Sequence, residues 1–394
     1  MIDFSSNSSK PEASHICQDI DGLRRSYRWI ALCGVFFLVS YWLGADFGKF
    51  EPDYYQAHSL TMTHLHQGGD FFQLLRTIPN SASGIFPLWL YGFVEGFALH
   101  KFISLCVFTC ILAIVWRVTR LNEFGRYFLM ALLISPMMIS ATAWVLPEIF
   151  ALFTVILVCI LSVNHPVIAV ALSAFVPLSR QTFIVLLGGR LFFWPKNLKA
   201  YVAMGLVASM ALSLLVYIWG GLVPPNLAGV HLTPSLKSPI VALLIFSLYF
   251  LQQNVISLRS TAINVPKIII SLVAAATLVS IGLLQPPLLG GGFIFSRLEA
   301  QSHLIAWIFE TTLLTIFFYS TLINTIVFFT LASISFGTTN YMFLKYVDFY
   351  FFAFLAYGLS DINDKLHPVF TAYARSGLIF QLFSISAAII FYVL

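Results

Sequence analysis

Charge in this chain stands almost wholly at the ends of long apolar runs, and that arrangement leaves few folds open. A helix rising 1.5 Å per residue needs about 20 apolar residues to cross the hydrocarbon of a bilayer, and runs near that length recur along the sequence. Only 9% of the 394 residues are charged and 59% are hydrophobic. A water-soluble domain carries about 25% charged residues, so most of this surface has to face lipid. A membrane β-barrel would show segments of about 10 residues with alternating polarity, and the sequence has none. We therefore expect an all-α polytopic membrane protein, a bundle of about 11–13 transmembrane or re-entrant helices with a large first external loop.

The positions of the basic residues orient it. Arg24, Arg25 and Arg28 precede the first run, about 28–46, and place a tail of residues 1–27 in the cytoplasm under the positive-inside rule. The tail lacks the basic-then-apolar order of a cleaved signal, so the first run reads as an uncleaved anchor. Arg117, Arg120 and Arg126 follow a second run at about 101–119 and mark a cytoplasmic turn. Segment 47–100 between them is then the first external loop. A third run, about 127–145, emerges near Trp144-Val145-Leu146-Pro147-Glu148, and a fourth returns by Asn164-His165-Pro166. Further runs follow at about 200–222, 239–257, 267–285, 304–322, 323–337, 346–359 and 377–394, which makes 28–394 one transmembrane domain. Gln285–His303 reads as a second external loop and Asp361–Arg375 as a cytoplasmic one. A net charge of +5 spread over span ends gives no patch for nucleic acid, and membrane lipid is the expected surrounding. Five cysteines, all but Cys17 inside apolar runs, give no disulfide framework.

Residues 167–195 break the pattern. They are apolar apart from Ser179-Arg180-Gln181, yet the far end carries Arg190, Lys196 and Lys199, a cytoplasmic signature at both ends. Two half-depth helices breaking near Pro177 resolve the conflict and put Arg180 at the tip of a re-entrant hairpin. Irregular backbone at membrane depth needs a protein or water-filled surround. An ionised group there marks a functional cavity, and a guanidinium suits phosphate. The other reading of Arg180 is a structural pair with a carboxylate such as Glu148. Glu148 in turn either binds sugar hydroxyls or lies at the interface.

The external loop supplies the acids. Phe50-Glu51-Pro52-Asp53-Tyr54-Tyr55 sets two carboxylates and two aromatics at the mouth of the bundle. Glu51 or Asp53 is placed to act as a general base, or each caps the helix that follows. Tyr54 and Tyr55 are candidates to stack on a sugar. Asp70 either meets substrate or pairs with Arg76. His58, His64 and His66 lack a zinc-protease spacing and read as interfacial polar residues or, less well, as metal ligands.

These residues resemble the GT-C membrane glycosyltransferases, with the nearest likeness to the dolichyl-phosphate-glucose-dependent α-1,2-glucosyltransferases. An Asp-Glu-x-Phe-His-like opening in that family corresponds to Glu51, Tyr54 and Tyr55. Gly69-Asp70 and the stretch Ile78-Pro79-Asn80-Ser81-Ala82-Ser83-Gly84-Ile85-Phe86 follow as its later loop elements do. Arg180-Gln181-Thr182-Phe183-Ile184-Val185 is similar to the family's Arg-Gln-Thr-Asn-Ile-Val, with Phe183 where the family has Asn. Asn340-Tyr341-Met342-Phe343 resembles its His-Tyr-x-Phe element. The likeness covers roughly residues 45–195.

The resemblance implies sugar transfer from a polyprenyl-phosphate donor to a glycan or lipid-linked acceptor hydroxyl on the non-cytoplasmic face. Glu51 or Asp53 would be the base, Arg180 and Gln181 would hold the donor phosphate, and Tyr54, Tyr55, Asp70, Glu148 and Tyr341 would contact substrate. No cofactor is required, although a divalent metal stays open. The setting is a bacterial inner membrane with a periplasmic site, or the endoplasmic reticulum lumen in a eukaryote. Two other readings remain: a transporter or flippase of a lipid-linked saccharide, and a lipid-linked oligosaccharide polymerase or ligase.

Overall fold

The computed structural model describes residues 12–44, 67–68, 96–146, 148–193, 195, 197–221, 234–260, 262–286, 288, 293–337, 344–360 and 366–393. Among them every regular element is helical: α1 (Glu12–Trp42), α2 (Phe97–Thr119), α3 (Glu123–Ile134), α4 (Pro136–Ala143), α5 (Glu148–Asn164), α6 (Pro166–Leu172), α7 (Phe175–Ser179), α8 (Ile184–Gly189), α9 (Leu198–Trp219), α10 (Lys237–Ser260), α11 (Val265–Leu283), α12 (Phe293–Gln301), α13 (His303–Ser320), α14 (Ile323–Ile334), α15 (Leu344–Leu355) and α16 (His367–Val393), with short 3₁₀ turns between some of them. Five of these helices are single spans by length and hydropathy, and α3 with α4 makes a sixth as a bent pair. Large apolar side chains such as Leu206, Met210, Ile270 and Val273 stand exposed on α9 and α11. Apolar surface of that extent on span-length helices belongs against lipid. The chain is an integral, multi-pass helical membrane protein.

Its centre is α15, on which every side chain from Val347 to Leu355 is buried. A helix apolar all round has to be enclosed by others. Phe351 and Phe354 there pack with Phe250 of α10, Phe329 of α14 and Tyr373 of α16 at ring separations of 4.8–6.2 Å. Much of the phenylalanine content therefore fills the space between helices.

Local chemistry sets most boundaries. Asn122 Oδ1 accepts from Gly125 N–H (2.8 Å) and caps α3, Asn264 caps α11 and Ser302 caps α13. A side-chain oxygen at that position satisfies an amide the helix leaves unpaired. The expected single run 127–145 is instead α3 and α4, bent by 57°. Pro136 lacks the N–H that would continue α3 and drives Ser135 into extended backbone (ψ 120°). Ser135 then caps α4 through Met138 N–H (3.1 Å) and donates to Asp348 Oδ2 (2.7 Å). Gln381 Nε2 donates to Asp348 Oδ1 (3.0 Å), so the bend is tied to α15 and α16.

Other expectations shift. Helix α1 begins at Glu12, inside the stretch read as a tail. Helix α16 starts at His367, so Arg375 lies within it rather than in a loop. The second external loop carries a helix of its own, α12.

The hairpin expected over 167–195 is broken, but at other places. Helix α5 runs from Glu148 to Asn164 and α6 turns back beside it. Pro177 sits inside α7. Its ring acts on the carbonyl four residues earlier, and the helix interrupts there, at Ser173–Ala174. The tip itself is Arg180, extended at φ −155°, ψ 113°. From Pro166 to Ser179 the limb rises about 21 Å at 1.5 Å per residue, deeper than a half-depth helix. Arg180 thereby reaches the level of Glu148 (Nη1 to Oε1, 3.4 Å). The descending limb returns to the end where α5 finished: Asn197, before α9, donates to Ser162 O (3.3 Å), and Tyr201 pairs with Ser162 Oγ (2.7 Å). Both feet of the hairpin therefore share one end of the bundle, and its tip points to the other.

Gly189 allows the descending limb to lie against α14. A Cβ there would meet Phe328 Cδ2 at 2.2 Å. Gly189→Ala is expected to destabilise the protein by about 1–3 kcal/mol through overpacking, read as a lower melting temperature in detergent. An unchanged melt would contradict this packing.

Candidate functional site

The site is built where α4 ends and the hairpin tip arrives. Helix α4 closes with Leu146 N–H donating to Ala141 O (2.8 Å) and Trp144 N–H to Ser140 O (2.8 Å). Such a closure needs one left-handed residue after the cap, ordinarily glycine. Here that residue is Val145, at φ +63° and buried. A branched side chain in this region costs about 1–3 kcal/mol and persists only where its surroundings over-determine it. Val145 and Phe150 pack with Phe97, Ile103 and Val107 of α2, which supplies that constraint. The turn fixes where α5 starts, with Glu148 in its first turn.

Glu148 is 3% exposed and Arg180 17%. Their 3.4 Å contact is longer than the roughly 2.7–2.9 Å of a charge-assisted hydrogen bond. Glu148 thus neutralises Arg180 without engaging the guanidinium in a tight two-pronged grip. Glu148 Oε2 and the indole N–H of Trp144 are buried and have no hydrogen-bond partner among the described residues. A buried polar atom left unmatched costs free energy, so this corner is poised for a polar ligand. Gln181 opens the 3₁₀ turn directly after Arg180 and is half-buried.

Tyr350 on α15 holds the tip. Its hydroxyl donates to Thr182 O (2.6 Å), and its ring meets Phe183 edge-on at 4.9 Å. Seven residues on, Tyr357 donates to Leu186 O. Helix α15 and the 3₁₀ turn that follows it, Ala356–Leu359, therefore each grip the descending limb once. Tyr350→Phe is expected to cost about 1–2 kcal/mol by leaving Thr182 O without its donor, measured as a lower melting temperature. A melt equal to wild type would show that the hydroxyl does not hold the tip.

Of the residues singled out from sequence, Arg180 and Glu148 meet and Gln181 adjoins them. Glu51, Asp53, Tyr54, Tyr55, Asp70 and Tyr341 lie outside the described residues. The flanks of the first-loop segment are described, and both stand at the tip end. Tyr41 and Lys101 exchange hydrogen bonds (3.1 Å each), and Phe97 lies 6.1 Å from the Trp144 ring. Among the described residues no three His, Cys, Asp or Glu group to hold a metal. An apolar groove of about 450 Å³ lined by Leu251 of α10 and by Ile305, Ile308 and Phe309 of α13 carries no ionisable group and takes no part in this site.

Several buried ionisable residues were not evident from sequence, Arg190, Asp348 and Glu310 among them. Arg190, read as a cytoplasmic surface charge, is 1% exposed; it donates to Ser360 Oγ (3.2 Å) and lies 5.2 Å from the Tyr201 ring. The run of charges at the hairpin's far end concealed that one of them turns inward. Asp348 and Glu310 are buried within α15 and α13. For Asp348, set between Val347 and Phe349, an acid inside an apolar run was the available signal.

Compared with known proteins, the chain matches no family model, no curated protein and no solved structure.

Proposed function

We propose that this protein is a membrane-embedded glycosyltransferase of the GT-C kind, moving a sugar from a polyprenyl-phosphate donor to an acceptor hydroxyl on the non-cytoplasmic face. The observation that carries this reading is the position of Arg180. It is a guanidinium at the tip of a broken hairpin, beside a buried carboxylate, at the bundle end where both flanks of the Glu51–Asp53 segment are anchored. A cation fixed on a rigid support can meet an incoming phosphate without reorganisation at the moment of reaction.

In the reaction so read, Glu51 or Asp53 takes the proton of the acceptor hydroxyl. The freed oxygen pair forms the new bond to the anomeric carbon, while the bond from that carbon to the phosphate oxygen breaks and its electron pair leaves with the phosphate. The configuration inverts in this single displacement. Arg180, with Gln181, stabilises the charge growing on the departing phosphate. Glu148 Oε2 and Trp144 Nε1 are the groups nearest in the fold to receive sugar hydroxyls. The basic residues Arg117, Arg120 and Arg126 mark the other end as cytoplasmic, and the donor enters sideways from the bilayer. Phe183 is buried against Tyr350, so whatever the Asn of the resembled motif touches has no counterpart here.

The direct test incubates purified protein with a panel of polyprenyl-phosphate sugars and candidate lipid or glycan acceptors, and identifies products by mass spectrometry. A glycosylated acceptor with inverted linkage supports the reading. No transfer from any donor, alongside movement of labelled lipid-linked saccharide between leaflets, would favour a transporter.

A further inference from the structure

A second ionic site lies in α10, α12 and α13, and the reaction proposed above does not use it. Lys237 opens α10 and its Nζ stands 2.5 Å from Glu299 Oε2 on α12. The side chains are 6% and 12% exposed. Glu310, two turns into α13, is 3% exposed and feels both groups electrostatically. Its Oε1 is buried with no hydrogen-bond partner among the described residues.

The charges facing this site can be counted element by element. Helices α10, α11, α12 and α14 all pack on α13. From α10 comes Lys237; Arg259 is in its last turn, at the opposite end. From α11 comes nothing at this level, since Lys267 lies over Tyr319 at the opposite end (5.1 Å). Glu299 comes from α12, whose Arg297 is exposed. Helix α14 has no ionisable residue. On α13 itself His303 is exposed at the first turn. Among the described residues one cation, Lys237, therefore faces two carboxyl groups in a largely buried corner. An uncompensated carboxylate in such a place is far more expensive than a neutral acid.

We propose that Lys237, Glu299 and Glu310 form a proton-binding site, in which Glu310 takes one proton from water and Lys237 is left to Glu299. Bound, the proton removes the repulsion between the two acids. Released, it leaves two carboxylates competing for one lysine. Proton relays are among the roles that intramembrane carboxyls mark. The site is independent of the sugar-transfer reading and stands or falls on its own measurements.

The test is infrared spectroscopy of the purified full-length protein in lipid nanodiscs at neutral pH, joined to thermal melts across pH. Wild type is expected to show a protonated-carboxyl stretch that Glu310→Gln removes. Glu299→Gln is expected to remove it too, because Lys237 is then free to pair with an ionised Glu310. Asp348 is unchanged in both variants and serves as an internal reference. The folded state binds the extra proton, so wild-type stability should fall as pH rises. Glu310→Gln, a neutral mimic of the acid, should lose that slope. A carboxyl band untouched by Glu310→Gln, or equal pH slopes in the two proteins, overturns the proposal. So does a melting temperature that rises with added sodium or potassium in wild type and not in Glu310→Gln, which would make the ligand a metal cation.

Discussion

If the proposed transfer reaction is right, Arg180→Ala is expected to lower it by about 10²–10³-fold, the usual penalty for removing one preorganised group that stabilises charge in a transition state. The same change has a second consequence that has to be kept apart from the first. Glu148, 3% exposed, would lose its only charged partner among the described residues, and breaking a buried pair from one side costs about 3–5 kcal/mol. The partial exposure of Arg180 and the 3.4 Å separation put this case at the lower end. Adding Glu148→Gln removes the stranded charge. The double variant should recover most of the melting temperature and none of the donor use. Arg180→Lys keeps the charge without the planar fork; it should melt close to wild type and show a raised donor KM or a lowered kcat of about tenfold, a loss near 1.4 kcal/mol. Wild-type turnover in the Arg180→Ala/Glu148→Gln variant would reduce Arg180 to a structural partner of Glu148.

The other large effect falls on the first loop. Of Glu51→Gln and Asp53→Asn, one is expected to lower transfer by about 10²–10⁴-fold, the contribution of a positioned general base. The second should matter far less, because residues two apart on a helix diverge by about 200° and only one can face a shared cavity. Neither change alters side-chain volume, so both proteins should purify and melt like wild type. Initial rates at saturating donor give the comparison. If both variants and their double combination keep full function, neither Glu51 nor Asp53 is the base, and a transporter that binds an anionic headgroup through Arg180 is favoured.

What was legible in the sequence was whatever rests on apolar length and charge at run ends. The lipid-facing helices α2, α9 and α11 stand close to where the runs placed them. The hairpin followed from a conflict between two basic termini and one apolar run, and Arg180 stands where its two limbs meet. The bend at Ser135-Pro136 was also written locally, as a cap residue followed by a proline suited to a first helical turn. It was passed over because apolar residues run on through it. Pro177 was read as breaking the chain where it stands, whereas its effect falls one turn earlier. Arg190 and Glu310 were not legible as buried. Their burial depends on which neighbours arrive, Tyr201 and Ser360 for one and Lys237 and Glu299 for the other, and no local pattern carries that information.

The account depends on one acid of the first loop and the hairpin tip facing the same water-filled pocket on the non-cytoplasmic side. Thiol labelling measures this directly. In a background with Cys17, Cys33, Cys106, Cys110 and Cys159 replaced, single cysteines at Asp53 and Gln181 are exposed to a membrane-impermeant maleimide added from either side of sealed vesicles. Labelling of both from the non-cytoplasmic side, with both protected by a polyprenyl-phosphate sugar, is the predicted result. Labelling of the two from opposite sides, or a position 181 that stays unreactive from both, would contradict it.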